Sequence, residues 1–174
     1  MSSEKHRKTG RRKPKRVGKA PKGSKGELAE SDGGTAREVS AGGVVVHGGE
    51  VLVIVPTRRA ADGSQVLALP KGHPEDGETI LQAATREVRE ETGVQVESLG
   101  ELGEVRYWYM RDRRKVAKSV HFFLFRYLSG DPADHDDEVL EARWMGFAEA
   151  QIALSYRGER EMVARALAIC EQDR

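Results

Sequence analysis

Residues 72–94, GHPEDGETILQAATREVREETGV, place more carboxylates on one short element than a helix tolerates without a counter-ion. A loop with Gly and Pro over 70–77 leads in and Gly93 stands in the usual C-terminal glycine position, so the spacing predicts a helix over roughly 79–92. At about 100° per residue, Glu87, Glu90 and Glu91 share one sector about 100° wide. Ile80, Leu81, Ala84 and Val88 fill the neighbouring sector, with Glu87 and Glu91 on its border. Unpaired there, these carboxylates would cost several kcal/mol or rise in pKa until they neutralised. Arg86 can pair with Glu90 one turn on, but one guanidinium cannot balance three carboxylates. The fold therefore has to bring a cation to the rim of this helix. Hard oxygen donors without Cys select Mg²⁺ or Mn²⁺ over zinc, and the Gly72 carbonyl can add a backbone ligand. Such an ion bridges to phosphate oxygens and leaves a carboxylate to activate water. The alternative is a solvated, salt-bridged surface helix.

Around this helix the chain reads as strands, helix, strands, helix. A β-rich run covers 39–47, Gly48-Gly49 signals a turn, and 50–56 forms the second arm of a hairpin. A short strand is expected over 65–69, ending at Pro70. Two longer β stretches follow over about 94–111 and 115–128, with a turn at Asp112-Arg113, and then a strand over 139–146. Residues 159–171 form an amphipathic closing helix with Met162, Val163, Ala166, Leu167 and Cys170 on its apolar stripe. This order predicts an α/β sandwich, a mixed sheet with a helix on each face.

Charge divides the chain. Residues 1–26 hold eleven of the 29 Lys/Arg and one acid, Glu4, which leaves 18 Lys/Arg against 27 Asp/Glu in 27–174. With almost no branched apolar residues, 1–36 cannot offset its ordering entropy and is expected to be a disordered basic tail. The acidic domain then occupies 37–174. Eleven cations suit non-specific contact with nucleic acid. No apolar run has the length to cross a bilayer, so no membrane partner is expected. The basic start lacks the apolar core of a secretory signal, and the lone Cys170 fits a reducing compartment, so a cytoplasmic location is expected.

From Gly72 the spacing runs five residues to Glu78, seven to Arg86-Glu87-Val88, one to Glu90-Glu91 and one to Gly93-Val94. This resembles the Nudix box at every defining position. Seven fixed identities make a chance match on the order of one in 10⁸ per position. The resemblance implies a Nudix-type α/β/α sandwich that cleaves a nucleoside diphosphate linked to another moiety, using Mg²⁺ or Mn²⁺ and a water attacking phosphorus. By position, Glu90 and Glu91 resemble the main metal ligands, Glu87 a ligand or general base, and Gly72 a carbonyl ligand. Arg86 resembles the residue that orients a neighbouring glutamate, so that Arg86, Glu87 and Glu90 make up the catalytic set. Glu78 resembles a loop-stabilising or outer-metal carboxylate. Some members recruit a further acid from a later loop; the run from Asp134 to Glu141 offers Glu138 first, with Asp137 and Glu141 as rivals.

Substrate choice rests on fewer residues. The segment LPKGHPEDGE at 69–78 is similar to the Pro-Lys-Gly-His lead-in of bacterial diadenosine polyphosphate hydrolases, and KSVHFFL at 118–124 to their strand bearing a basic residue. The resemblance assigns Lys71 and Lys118 to phosphates distal to the metal, as point charges. Tyr107, Trp108, Tyr109 and Tyr156 are candidates to stack a base, although packing is the commoner fate of such residues. His73 and His121 lack a second His at ligand spacing and are expected to be structural. The same lead-in occurs in pool-sanitising hydrolases of oxidised or ordinary nucleoside triphosphates, which is the second reading. A non-catalytic Nudix-fold binding module is the third, but it would have no need to keep Glu87, Glu90 and Glu91 together.

Overall fold

The run 41–46 is apolar without alternation because its strand is covered on both faces. That strand, β2 (Thr35–His47), is the centre of a mixed sheet in the computed structural model, which describes residues 29–31 and 35–172. Gly48 and Gly49, both with positive φ, turn the chain tightly into β3 (Glu50–Pro56). There follow β4 (Lys71–Gly72), α1 (Ile80–Thr92), β5 (Val94–Arg111), β6 (Arg114–Gly130), β7 (Val139–Gly146), α2 (Phe147–Ala153) and α3 (Arg157–Gln172). The sheet runs β5-β6-β2-β3-β7, with β6 parallel to β2 from Ala36↔Val116 to Val46↔Arg126 and the other neighbours antiparallel.

Alternate residues of β2 and β6 serve opposite cores. Ala41, Val45, Phe123 and Phe125 face α1, where they meet Ala83, Ala84 and Val88. Val44, Val120, Phe122 and Leu124 face the other way, against Leu154, Met162, Val163 and Ala166. Each Val, Leu, Phe or Met among these, once fully buried, contributes about 1.5–3 kcal/mol. The expected α/β/α sandwich is therefore the observed one. The helix carrying the glutamates and the closing helix lie on opposite faces.

Three local expectations change. The strand expected over 65–69 is only an isolated bridge between Ala68 and Ile54, and the paired segment is Lys71–Gly72 beside Ala41 and Gly42. Residues 65–69 find other backbone partners instead: Leu67 N–H donates to Ser155 Oγ, and Leu69 N–H to the Glu159 carboxylate at 2.9 Å. The short helix α2 and a 3-10 turn at Pro132–Asp134 were not expected from periodicity, being too short to show one. Finally, β1 (Ala29–Ser31) pairs with the start of β2, ahead of the Arg37 boundary suggested by composition. The disordered-tail reading otherwise falls on residues 1–28 and 32–34, which lie outside the described residues.

Candidate active site

Helix α1 is held at both ends by its own sequence. Thr79 and Gln82 cap each other reciprocally at its start, and Gly93 adopts the left-handed conformation at its end. The intervening turns bury Glu87 and Glu91, at 7% and 8% exposure, among the apolar residues of the packed face. The border placement read from the helical angle is what the fold contains. Opposite them, a β-carbon at position 72 would overlap the Glu87 carboxylate, so only glycine lets β4 pass this close.

Arg86 is the cation at the centre of this group. Its guanidinium forks onto Glu78 at 2.8 and 2.9 Å, and donates to Glu87 Oε1 at 2.6 Å and to the His73 carbonyl at 2.9 Å. Glu90 Oε2 lies farther out, at 3.4 Å. The fork holds the Glu78 carboxyl below the usual carboxylate range. Glu91 is treated differently: its Oε2 accepts the Lys71 N–H at 2.8 Å. Burial, reinforced by the nearby Glu87 and Asp136 charges, pushes its carboxyl up to about 8 despite that hydrogen bond and the Lys71 charge.

These residues suit a hard divalent cation. The donors are all oxygen, a glycine backbone lies directly against one carboxylate, and a buried Glu91 resists ionising until more positive charge arrives. Among the described residues no three acidic, His or Cys side chains are already drawn into an ion cage. Arg86 lies among the carboxylates instead. Of the later acidic run, Asp136 is the member tied to the helix, its N–H donating to the Glu90 carbonyl at 2.9 Å. Glu138, the first choice from sequence, has an exposed side chain and its carbonyl accepts from Thr57. Asp137 and Glu141 are likewise exposed.

The dipeptide of β4 straddles the sheet. Gly72 faces α1, whereas Lys71 points to the α3 side, where its Nζ meets Glu159 Oε1 at 2.7 Å and lies 5.4 Å from the Tyr156 ring centre. A β-carbon at Gly42 would overlap the Pro70 carbonyl, which explains glycine in β2 there. Burial alone would lower the Lys71 ammonium, but the Glu159 carboxylate outweighs it and holds it above the ordinary lysine value. Lys71 lines a cavity of about 500 Å³ together with Tyr107, Tyr156 and Glu159, over an apolar floor of Val105, Val120 and Phe122. Tyr107 and Tyr156 thus share one opening. Trp108 points to the opposite side of β5, where the Lys115 ammonium lies 4.2 Å from its ring centre.

Lys118, read from sequence as a phosphate holder, is bound to Glu38 Oε1 at 2.7 Å. His73 Nε2 reaches the same oxygen at 2.6 Å, while the Tyr109 hydroxyl and Arg111 donate to Oε2. Burial would raise the Glu38 carboxyl, but Lys118, Tyr109 and His73 hold it far below the usual range. Tyr109 is pushed up to about 12 by burial and by that carboxylate. His121 faces Glu101 and Glu104 at the sheet edge, away from this group. Sequence reasoning missed Glu38. Its signal was a single acid just ahead of the β run expected from residue 39, meaningful only once the parallel register sets Glu38 against Lys118.

A family model for the NUDIX domain matches residues 36–166. The chain belongs to the Nudix family. It is 41% identical over 134 residues to a protein named putative mutator protein MutT4 from Mycobacterium tuberculosis, covering 74% of this chain and 54% of that one. It is 34% identical over 98 residues to an asymmetrical bis(5'-nucleosyl)-tetraphosphatase from Rattus norvegicus, covering 53% and 63%. The chain thus spans about half to two thirds of the length of these two relatives. Among solved structures, a Nudix hydrolase from Nitrosomonas europaea superposes with a TM-score of 0.63 at 24% identity, covering 76% of this chain and 89% of that one, a likeness of fold. The glutamate helix, β4 and the Glu38 group all lie inside the matched Nudix region. Among the described residues, no helix is long and apolar enough to cross a membrane.

Proposed function

We propose that this chain is a metal-dependent Nudix hydrolase that cleaves a phosphoanhydride bond in a dinucleoside polyphosphate such as diadenosine tetraphosphate, releasing ATP. One observation carries this reading: Lys71, next to Gly72 of the glutamate site, turns to the α3 side of the sheet, where an aromatic-walled cavity opens off it, and Lys118 and Arg111 on Glu38 add two further cations. A chain of several phosphates needs such a set of cations, and a base needs such a cavity. The tetraphosphatase relative supports the same substrate class.

Gly72, Glu87, Glu90 and Glu91 would hold the ion, with Asp136 rather than Glu138 as the added acid. When bound, Mg²⁺ or Mn²⁺ supplies the positive charge that offsets the developing charge on the phosphoryl oxygens. Arg86 keeps Glu87 aimed at the site and ties Glu78 across the loop. A carboxylate, Glu87 or Glu90, accepts the proton of the attacking water, while the anhydride oxygen leaves with the distal phosphates. Tyr107 and Tyr156 take a base, with Lys71 on the phosphates beside it. A cytoplasmic setting agrees with the lone Cys170.

The second reading, hydrolysis of oxidised or ordinary nucleoside triphosphates, is favoured by the name of the M. tuberculosis relative. Product analysis separates the two. Diadenosine tetra- to hexaphosphates should yield ATP with Mg²⁺ present, while 8-oxo-dGTP stays largely intact. Faster release of 8-oxo-dGMP would replace the first reading by the second. A non-catalytic module would show neither product.

A further inference from the structure

Four polar side chains from three separate segments converge on Glu38 of β2. Lys118 of β6 and His73 after β4 take one carboxylate oxygen; Tyr109 and Arg111 of β5 take the other, at 2.5 and 2.6 Å. Glu38 is 8% exposed, whereas the side chains of Arg111 and His73 are each 46% exposed. The carboxylate is therefore the hidden centre; Arg111 and His73 keep open faces, while the Lys118 side chain is 14% exposed. Two oxygens offer about four lone-pair sites, all used, which leaves Glu38 nothing with which to bind a substrate itself.

What Glu38 does is hold the donors. Fixing a Lys or Arg side chain costs rotamer freedom, and a carboxylate that has already fixed them spares an incoming anion that cost. Lys118 depends on this most. Burial weakens its hold on the proton, as do the charges of Lys71 and Arg58, and Glu38 is the partner that opposes them. One carboxylate against one lysine and one arginine still leaves the group positive. His73 connects it to the hydrolytic residues: its ring is on Glu38 and its carbonyl accepts from Arg86, which in turn holds Glu87. His73 thus links the cation group to the glutamate helix, alongside the pairing of β4 and β6 with β2.

We propose that Glu38 is a positioning residue that sets the register of a polyphosphate chain, by fixing Lys118 and Arg111 against phosphates beyond the one attacked. This rests on the hydrolytic reading above. A rigid pair of cations admits the phosphate chain at one offset from the glutamate helix; a loose pair admits several.

The test uses the full chain and its Glu38→Gln, Lys118→Met and Arg111→Gln variants. With diadenosine pentaphosphate and Mg²⁺, the parent protein should give one dominant pair of products. Glu38→Gln should give a mixture and raise KM about tenfold, with kcat within about threefold. Arg111→Gln alters a half-exposed side chain, so it should fold normally and shift the products in the same direction. An unchanged product ratio in both Glu38→Gln and Arg111→Gln, with KM unchanged or lower, overturns the proposal. Calorimetry with inorganic tripolyphosphate, without divalent metal, reads the same point when no hydrolysis occurs. There, Glu38→Gln and Lys118→Met should each weaken binding about tenfold, and the double variant should lose less than the two losses combined, because Lys118 is one of the two cations that Glu38 fixes. Unchanged or tighter binding in Glu38→Gln would show that the cations need no organiser. Absence of any turnover in the parent protein would count against the hydrolytic reading and leave the calorimetric result to decide on Glu38.

Discussion

Glu91 carries the clearest electrostatic consequence at the scale of one residue. Its carboxyl titrates near 8 in the fold against about 4.5 when exposed, so between those values the folded chain binds more protons than the unfolded one. The contribution is complete below about pH 4.5 and is lost as pH rises towards 8. In a chelator, thermal midpoints should therefore fall over that range, and Glu91→Gln should flatten the slope. Mg²⁺ should restore the midpoint at pH 8 to the parent protein but much less to Glu91→Gln, whose turnover should drop by about 10³. Parallel midpoint curves for the two proteins would remove Glu91 from the metal site. Glu38 acts in the opposite sense, since its depressed titration stabilises above the usual carboxylate range and is lost in acid. The burial of Glu87 and Glu91 was legible from helical angles alone. The contacts of Glu38 and Asp136 were not, because both depend on which strand or helix lies beside them.

Among the elements, α1 is defined by local chemistry. Thr79→Ala removes the reciprocal cap and should cost about 1 kcal/mol in urea denaturation. The carboxylates proposed to be catalytic begin two turns further on, so turnover should stay within about threefold; a large loss of activity at unchanged stability would mean that the cap orients the site. The same locality explains why α1, the β5–β6 ribbon with its turn at Asp112 and Arg113, and β7 were readable in advance. Residues 65–69 were not, since Leu67 and Leu69 bond to Ser155 and Glu159, nearly 90 positions away. Lys71 likewise reads in sequence as a free phosphate-binding charge, yet in the fold it is paired with Glu159 of α3.

At the scale of the molecule, the charge split between residues 1–26 and the rest predicts a separable role for the basic tail. Deleting residues 1–28 should leave turnover nearly unchanged while abolishing any steeply salt-dependent, sequence-independent binding to single-stranded oligonucleotides. Loss of turnover at physiological salt would make the tail part of the active machinery. Beyond that, sequence by itself determined most of the sheet-and-helix order and the identity of the glutamate helix, because periodicity, capping and motif spacing act over a few residues. Only the tertiary structure decided that Lys71 and Gly72 face opposite sides of the sheet, that Tyr107 and Tyr156 share a cavity, and that Glu38 gathers Lys118, Arg111, His73 and Tyr109. Those contacts join segments 30 to 90 positions apart, and their partners are set by strand register and side-chain packing, which no local pattern encodes.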